Sequence, residues 1–153
     1  MPDTRSVPRP TLRDSSKRLV EEIFRKAAFI GSLGIELTSL GFGCCETKLD
    51  ITSVHLQQHG FVHAGVIMTI ADHTCGGAAL STTPEGRDVI TVENKVSFLR
   101  PAPGLRLNCR AEVLRTGKNL IFVEAEVMAE RDGRSVLVAK ASSTLAVIPL
   151  RPV

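Results

Sequence analysis

Asp72 is the only acid between Gly65 and Leu80, the most apolar stretch of the chain. An ionised carboxylate left unpaired in a low-dielectric interior is very costly. Asp72 is therefore paired, protonated, at a subunit interface, or open to a cavity that admits substrate. Residue types alone weigh two outcomes equally: a carboxylate satisfied by Thr69 or a partner chain, and a catalytic one. Gln57, His59, Gly60, His63 and Gly65 crowd the segment just ahead. A helix N-terminus offers free backbone N–H groups and a partial positive charge. Gly65 at that entry lets a ligand approach the backbone closely, and such an N–H can polarise a carbonyl and hold a developing oxyanion. Taken alone, Gly65 serves equally as a plain loop-to-helix turn. His55, His59 and His63 recur every four residues and would share one face of a helix, a spacing that suggests zinc. Gly60, Val62 and the β-branched run ahead of them disfavour a helix there, and no Cys or acid completes a ligand set, so no metal is expected.

The elements that position these groups follow from periodicity. Residues 1–14 carry Pro2, Pro8 and Pro10 among charges and read as a flexible arm; residues 15–150 form a single domain. Ser15 or Ser16 could cap a helix running to about Phe29, with Leu19, Ile23 and Phe24 as its apolar stripe. Ile35 to Leu40 reads as a short strand. Cys45, Thr47, Leu49 and Ile51 alternate with charged residues as a half-buried strand. Gly65 to Leu80 is apolar nearly all round, the mark of a buried helix. Val89 to Phe98 alternates with Ile90, Val92, Val96 and Phe98 on one face. Leu105 to Val113 and Ile121 to Ala129 alternate as well, Asp132-Gly133 signals a hairpin, and Val136 to Ile148 is the last strand. The sum is an α+β domain: two strands, one buried helix, then four strands in a meander, six in all.

Composition narrows the classes. The 153 residues make one domain on length alone. The first 20 residues hold seven charged groups and no apolar core, which argues against a signal peptide. Asp72 cuts the apolar centre after Ala64–Ala71, far short of a membrane span. Trp and Tyr are absent, which weakens any nucleic-acid reading built on aromatic stacking. Cys44, Cys45, Cys75 and Cys109 contain no C-x-x-C pair and read as reduced thiols of a cytoplasmic protein. The net charge of +3 belongs to the first 30 residues. Residues 31–90 hold two basic and six acidic groups; residues 91–120 hold six basic and two acidic ones. That basic strip hints at an anionic ligand more than at DNA.

His63-Ala64-Gly65 followed by Ile70-Ala71-Asp72 resembles the His-Gly-Gly…Asp signature of hotdog-fold acyl-CoA thioesterases of the phenylacetate-degradation type. Thr91-Val92-Glu93 through Ser97-Phe98-Leu99-Arg100-Pro101-Ala102 is similar to the family's later strand and its L-R-P-A turn. The resemblance covers roughly residues 30 to 148. Ala64 replaces the first Gly of the pair, and Gln57 stands where several relatives have Asn. The fold implied is the hotdog: a six-stranded antiparallel sheet wrapped around one long central helix.

The resemblance implies roles. Asp72 would be the nucleophile or the general base that activates water. The Gly65 N–H would polarise the thioester carbonyl, Gln57 would position substrate or water, and Thr91 would hold the attacking water. His63 would brace the loop and contact the carbonyl region, His59 would line the pocket, and His73 would neighbour the interface. Of Lys95, Arg100, Arg106, Arg110, Arg115 and Lys118, the pair Arg100 and Lys118 is expected to meet the phosphates of coenzyme A, with a solvated strand face as the alternative for each. No cofactor beyond the substrate's own coenzyme A is implied. Seven residues separate Gly65 from Asp72, about 10.5 Å of helical rise, so the two cannot reach one thioester carbon from a single chain. The expected enzyme is a homodimer with shared sites, paired into a dimer of dimers, acting on an aliphatic or short aryl-acetyl thioester. Two alternatives remain open: a hydratase or dehydratase using His63 with Asp72, and a non-catalytic acyl-CoA binding module.

Overall fold

The computed structural model describes residues 10–151. Most of the expected N-terminal arm lies outside them. The helix expected next begins ahead of both candidate capping serines: α1 spans Asp14–Lys26 and α2 spans Ala28–Leu33. No serine caps α1. Arg13 occupies that position, and its guanidinium donates to Ser16 Oγ (3.2 Å) and to the Thr83 carbonyl, which ties the start of α1 to the end of the long helix. The extended backbone of Ala27 (ψ 90°) breaks the expected single helix in two. The buried stripe of α1 centres on Val20, which is 1% exposed, flanked by Leu19, Ile23 and Phe24.

The remaining elements are β1 (Ile35–Gly41), β2 (Cys44–Asp50), α3 (Ala64–Thr82), β3 (Arg87–Phe98), β4 (Arg106–Thr116), β5 (Leu120–Arg131) and β6 (Arg134–Pro149). At 19 residues, α3 is about 28 Å long. Ile70, Ala71, Thr74, Cys75 and Ala78 along it are fully buried, because the sheet curves around it. Leu49, Leu107, Ile121, Val123, Val127 and Leu145 supply the facing layer from four strands. Burial of a helix apolar on every side needs such an envelope, and packing of this kind stabilises the domain by roughly 25 cal/mol for each Å² of apolar surface removed from water. This is the helix-in-sheet arrangement that the resemblance implies.

The strands are all antiparallel, in the order β1-β2-β4-β5-β6-β3. The four-strand meander is thus corrected to three strands, β4 to β6. Strand β3 sits beyond β6 at the sheet's edge. Residues 99–105, with Pro101, Pro103 and Gly104 (φ 131°), carry the chain back across the end of the sheet to start β4. Proline lacks the N–H a ladder needs, so Pro101 and Pro103 interrupt regular pairing between the ends of the segment, where Leu99 still donates to Val138 and Leu105 to Glu130. The hairpin at Asp132-Gly133 forms as expected, both residues holding positive φ (51° and 71°), the geometry of a type I′ turn.

The face assigned to β3 is also corrected. Ile90 and Val92 are 56% and 63% exposed; Val89 and Val96 pack against the core instead. A bulge between Thr91 and Glu93 is the cause. One extra residue in a strand flips the side of every residue after it, so a strict alternation across the whole strand is impossible.

Candidate active site

Asp72 projects from the middle of α3, where the helix passes the edge strand. The Thr91 hydroxyl donates to its Oδ1 at 3.0 Å. Thr91 faces inward because it precedes the bulge. The two open onto a cavity of about 260 Å³ lined by Val20, Ile23 and Phe24 from α1, by His73, Gly76, Gly77 and Leu80 from α3, and by Asp88, Val89 and Leu145 from the sheet. Helix α1 is therefore the roof of the site. Thr69, the alternative partner for the carboxylate, instead donates to the Gly65 carbonyl at 2.8 Å. A chamber walled mainly by apolar groups, with the Asp72 and Thr91 pair on one side and Asp88 and His73 also at its wall, suits an uncharged chain with its reacting carbonyl at the mouth.

His73 packs edge-on to Phe24, ring centroids 4.3 Å apart. Its Nε2 is buried with no partner among the described residues. Burial disfavours the charged imidazolium and lowers its pKa below the ordinary histidine value; the Asp72 charge opposes this only in part. Neither His73 nor Asp88 was singled out for this cavity from sequence. Asp88 Oδ1 accepts from the Val89 N–H at 2.7 Å.

The helix entry is built by a tight loop. His55 is buried; its Nδ1 accepts from the Thr52 N–H and its Nε2 bonds the Leu33 carbonyl, both at 2.9 Å. One neutral tautomer, with the proton on Nε2, satisfies both. His55 thus anchors the loop, with both ring nitrogens engaged by backbone groups. From there the chain doubles back: the His63 N–H donates to the His55 carbonyl and the Gln57 N–H to the Phe61 carbonyl, each at 2.8 Å. Gly60 (φ 82°) makes the reversal. Gln57 Oε1 accepts from the His59 N–H, so the loop itself holds the Gln57 side chain. His59 is exposed at the tip.

His63 caps α3, accepting the Gly65 N–H at Nδ1 (2.9 Å). The donor expected to meet a carbonyl is therefore held by an exposed side chain that a ligand oxygen can replace. His63 and Asp72 are nine residues apart, about 13.5 Å along the helix. The His/Asp pair of the hydratase reading does not assemble within the chain.

The basic strip does not gather. Arg106 pairs with Asp50 at 2.6 Å, and Arg110 with Glu46 and Glu112. Asp50 and Glu46 are the register partners of Arg106 and Arg110 across β2 and β4, so these charges form a cross-strand ladder on the outer face. Arg100 and Lys118 are not brought together within one chain. Arg100 Nη1 donates to the Leu137 carbonyl at 3.0 Å, whereas Lys118 lies in the turn whose Asn119 carbonyl meets Val147. Ten residues of β6 separate those anchors, about 33 Å. Both sit at strand ends, but at opposite ends of the sheet.

The cysteines are free thiols, Cys45, Cys75 and Cys109 buried and Cys44 half-buried. Burial pushes the Cys75 and Cys109 thiols up to about 12, so none of these buried sulfurs is a nucleophile. No helix among the described residues is long and apolar enough to cross a membrane.

Known proteins share this arrangement. The sequence profile of a family described as the Thioesterase superfamily matches residues 59–136, the stretch from the entry loop through the β5–β6 hairpin. A thioesterase family protein from Silicibacter pomeroyi is 36% identical, with a TM-score of 0.86 over 88% of this chain and 98% of its own. The E. coli PaaI protein from the phenylacetic acid degradation operon shares the fold (TM-score 0.80, 22% identity, 90% and 96% covered). Acyl-coenzyme A thioesterase 13 of Pongo abelii is 24% identical over 128 residues, 82% of this chain and 91% of that protein. A long helix sheathed by six antiparallel strands, with Gly65 at its entry and Asp72 in its middle, is thus a hotdog domain, and the chain belongs to the thioesterase superfamily as a thioester hydrolase.

Proposed function

We propose that the chain hydrolyses an acyl-CoA thioester to a carboxylic acid and free coenzyme A, at a site completed by two copies. The observation that carries this is Asp72: a half-buried carboxylate, steadied by Thr91, at the wall of an apolar chamber. The coenzyme A in the name of the Pongo abelii relative supports the leaving group.

In this reading the thioester carbonyl oxygen takes the Gly65 N–H from the His63 ring, and Gln57 steadies the substrate beside it. Water held by the free lone pairs of Thr91 attacks the carbonyl carbon while Asp72 removes its proton. The oxyanion forms against the Gly65 N–H and the α3 N-terminus. Its collapse breaks the C–S bond, and the proton on Asp72 passes to the departing thiolate. Direct attack by Asp72 would instead give a mixed anhydride that water then opens. A single turnover in ¹⁸O-water separates the two routes, since only the anhydride route can leave label in the protein. The helical distance between Gly65 and Asp72 supports a site in which one subunit supplies the N–H and the other the carboxylate. The strand edge at β3, with Ile90 and Val92 exposed, is where a second copy would add. We further propose that such dimers pair into tetramers in the cytoplasm.

Steady-state hydrolysis of an acyl-CoA panel tests the reading. Asp72→Asn is expected to lower kcat by about 100-fold to 10,000-fold with substrate binding retained; equal rates would sink the assignment. Mixing Asp72→Asn with Gly65→Pro, which deletes the N–H within the first helical turn, should restore about one site in two per mixed dimer. Neither parent alone should rise above its residual rate.

A further inference from the structure

A second cleft, of about 780 Å³, lies away from Asp72, at the end of the sheet where the loop enters α3. Phe61, Pro101, Pro103 and Val136 form apolar walls, and Arg100, Arg131 and Arg134 stand at the rim with one acid, Asp132. Arg131 and Arg134 flank the two turn residues of the β5–β6 hairpin, so the type I′ turn sets both guanidinium groups at one tip. Asp132 approaches Arg131 only at 3.5 Å, both side chains largely in solvent. Arg100 spends one nitrogen on the Leu137 carbonyl, and neither it nor Arg134 has a carboxylate partner among the described residues. Three guanidinium groups against one carboxylate leave two positive charges uncompensated beside an apolar surface.

Guanidinium groups bind phosphates bidentately and stack on flat rings. The cleft therefore suits a ligand with several phosphates at one end and an uncharged arm at the other. Phe61 stands four residues ahead of Gly65, so the apolar wall leads toward the helix entry. We propose that this cleft holds the phosphate-bearing nucleotide end of the CoA thioester, with Arg131 and Arg134 as phosphate-binding residues beside Arg100. The uncharged arm then runs past Phe61 toward Gly65 of the same subunit. Lys118, at the opposite end of the sheet, takes no part. This assignment rests on the acyl-CoA reading, but it can fail separately.

The test compares wild type with the double variant Arg131→Ala/Arg134→Ala on two substrates: an acyl-CoA and the same acyl group on N-acetylcysteamine, which lacks the nucleotide. The variant should raise KM for acyl-CoA about tenfold or more, leave kcat unchanged, and leave the truncated thioester unaffected. Arg→Lys at both positions should recover part of the loss, since it keeps the charge without the fork. Calorimetric titration with adenosine 3′,5′-bisphosphate should show binding by wild type and none by the alanine variant. An unchanged KM, or equal losses on both substrates, overturns the assignment. So does a fall in oligomer mass by light scattering, which would make the tip a subunit contact. If wild type binds the bisphosphate but hydrolyses no acyl-CoA, the catalytic reading falls and the phosphate cleft stands. Both side chains are exposed on a hairpin tip, so their removal leaves the core intact.

Discussion

Gly76 and Gly77 are neighbours in α3 with opposite duties. A Cβ on Gly77 would meet Cys45 Sγ at 2.8 Å and Phe24 Cε2 at 3.3 Å; glycine there lets β2 and α1 close on the helix. A Cβ on Gly76 meets nothing within 4 Å, and Gly76 lies one helical turn beyond Asp72 on the same face. It opens the chamber. Gly76→Leu should fill that space and cut kcat/KM for longer acyl groups about tenfold or more relative to short ones, as pocket-filling by a few carbons does. Gly76→Ala should raise stability by about 1 kcal/mol, the ordinary gain over glycine in a helix, whereas Gly77→Ala should lower it. Chain-length profiles and thermal melts check both. At this scale the sequence was informative about Asp72 and Thr91, which the fold does bring to hydrogen-bonding distance. It was silent on His63 as the cap of Gly65 and on His55 as the loop's anchor. A histidine's partners are backbone groups here, and backbone groups leave no trace in residue identity.

Strand β3 shows what element-level periodicity can and cannot deliver. Its existence and limits follow from alternation, but its neighbour does not. Alternation says nothing about which strand lies alongside, and Pro101 and Pro103 mark a break without saying where the chain resumes. The basic strip fails for a related reason: Arg106 and Arg110 find Asp50 and Glu46 only once β2 and β4 are in register. Strands β4 to β6 were legible because each is periodic and joins its neighbour directly, and the central helix because it is apolar nearly all round. As an edge strand with apolar side chains outward, β3 is expected to be buried by a second copy, since unpaired edges of this kind rarely stay bare. Ile90→Lys with Val92→Glu should shift the mass in light scattering to a monomer and abolish turnover together. A monomer that still turns over at the wild-type rate would refute the shared site.

The whole molecule carries a buried imidazole against its own stability. Burial holds the folded His73 pKa below its ordinary value of 6.5. Above that value the ring is neutral whether the chain is folded or unfolded. As pH falls through it, the unfolded chain takes up a proton first, so stability falls, and it stops falling only once the folded ring is protonated too. The thermal midpoint should therefore drop as pH falls from about 7 through 6.5, and His73→Phe should flatten that drop. An identical pH profile in the variant would show that another group is responsible. The roof formed by α1 rests on this same ring through Phe24, so acid weakens the cover of the chamber along with the fold.

The one-residue bulge in β3 works as a change of phase within a single strand. Ahead of it, odd-numbered residues look inward and Thr91 reaches the carboxylate; after it, even-numbered residues do, and Val96 reaches the core. One strand thereby serves chemistry at one end and packing at the other, under two frames of reading. For this change of phase Val92 matters as a count, apart from what its side chain does at the outer edge. Its removal would force the strand to choose between the two tasks.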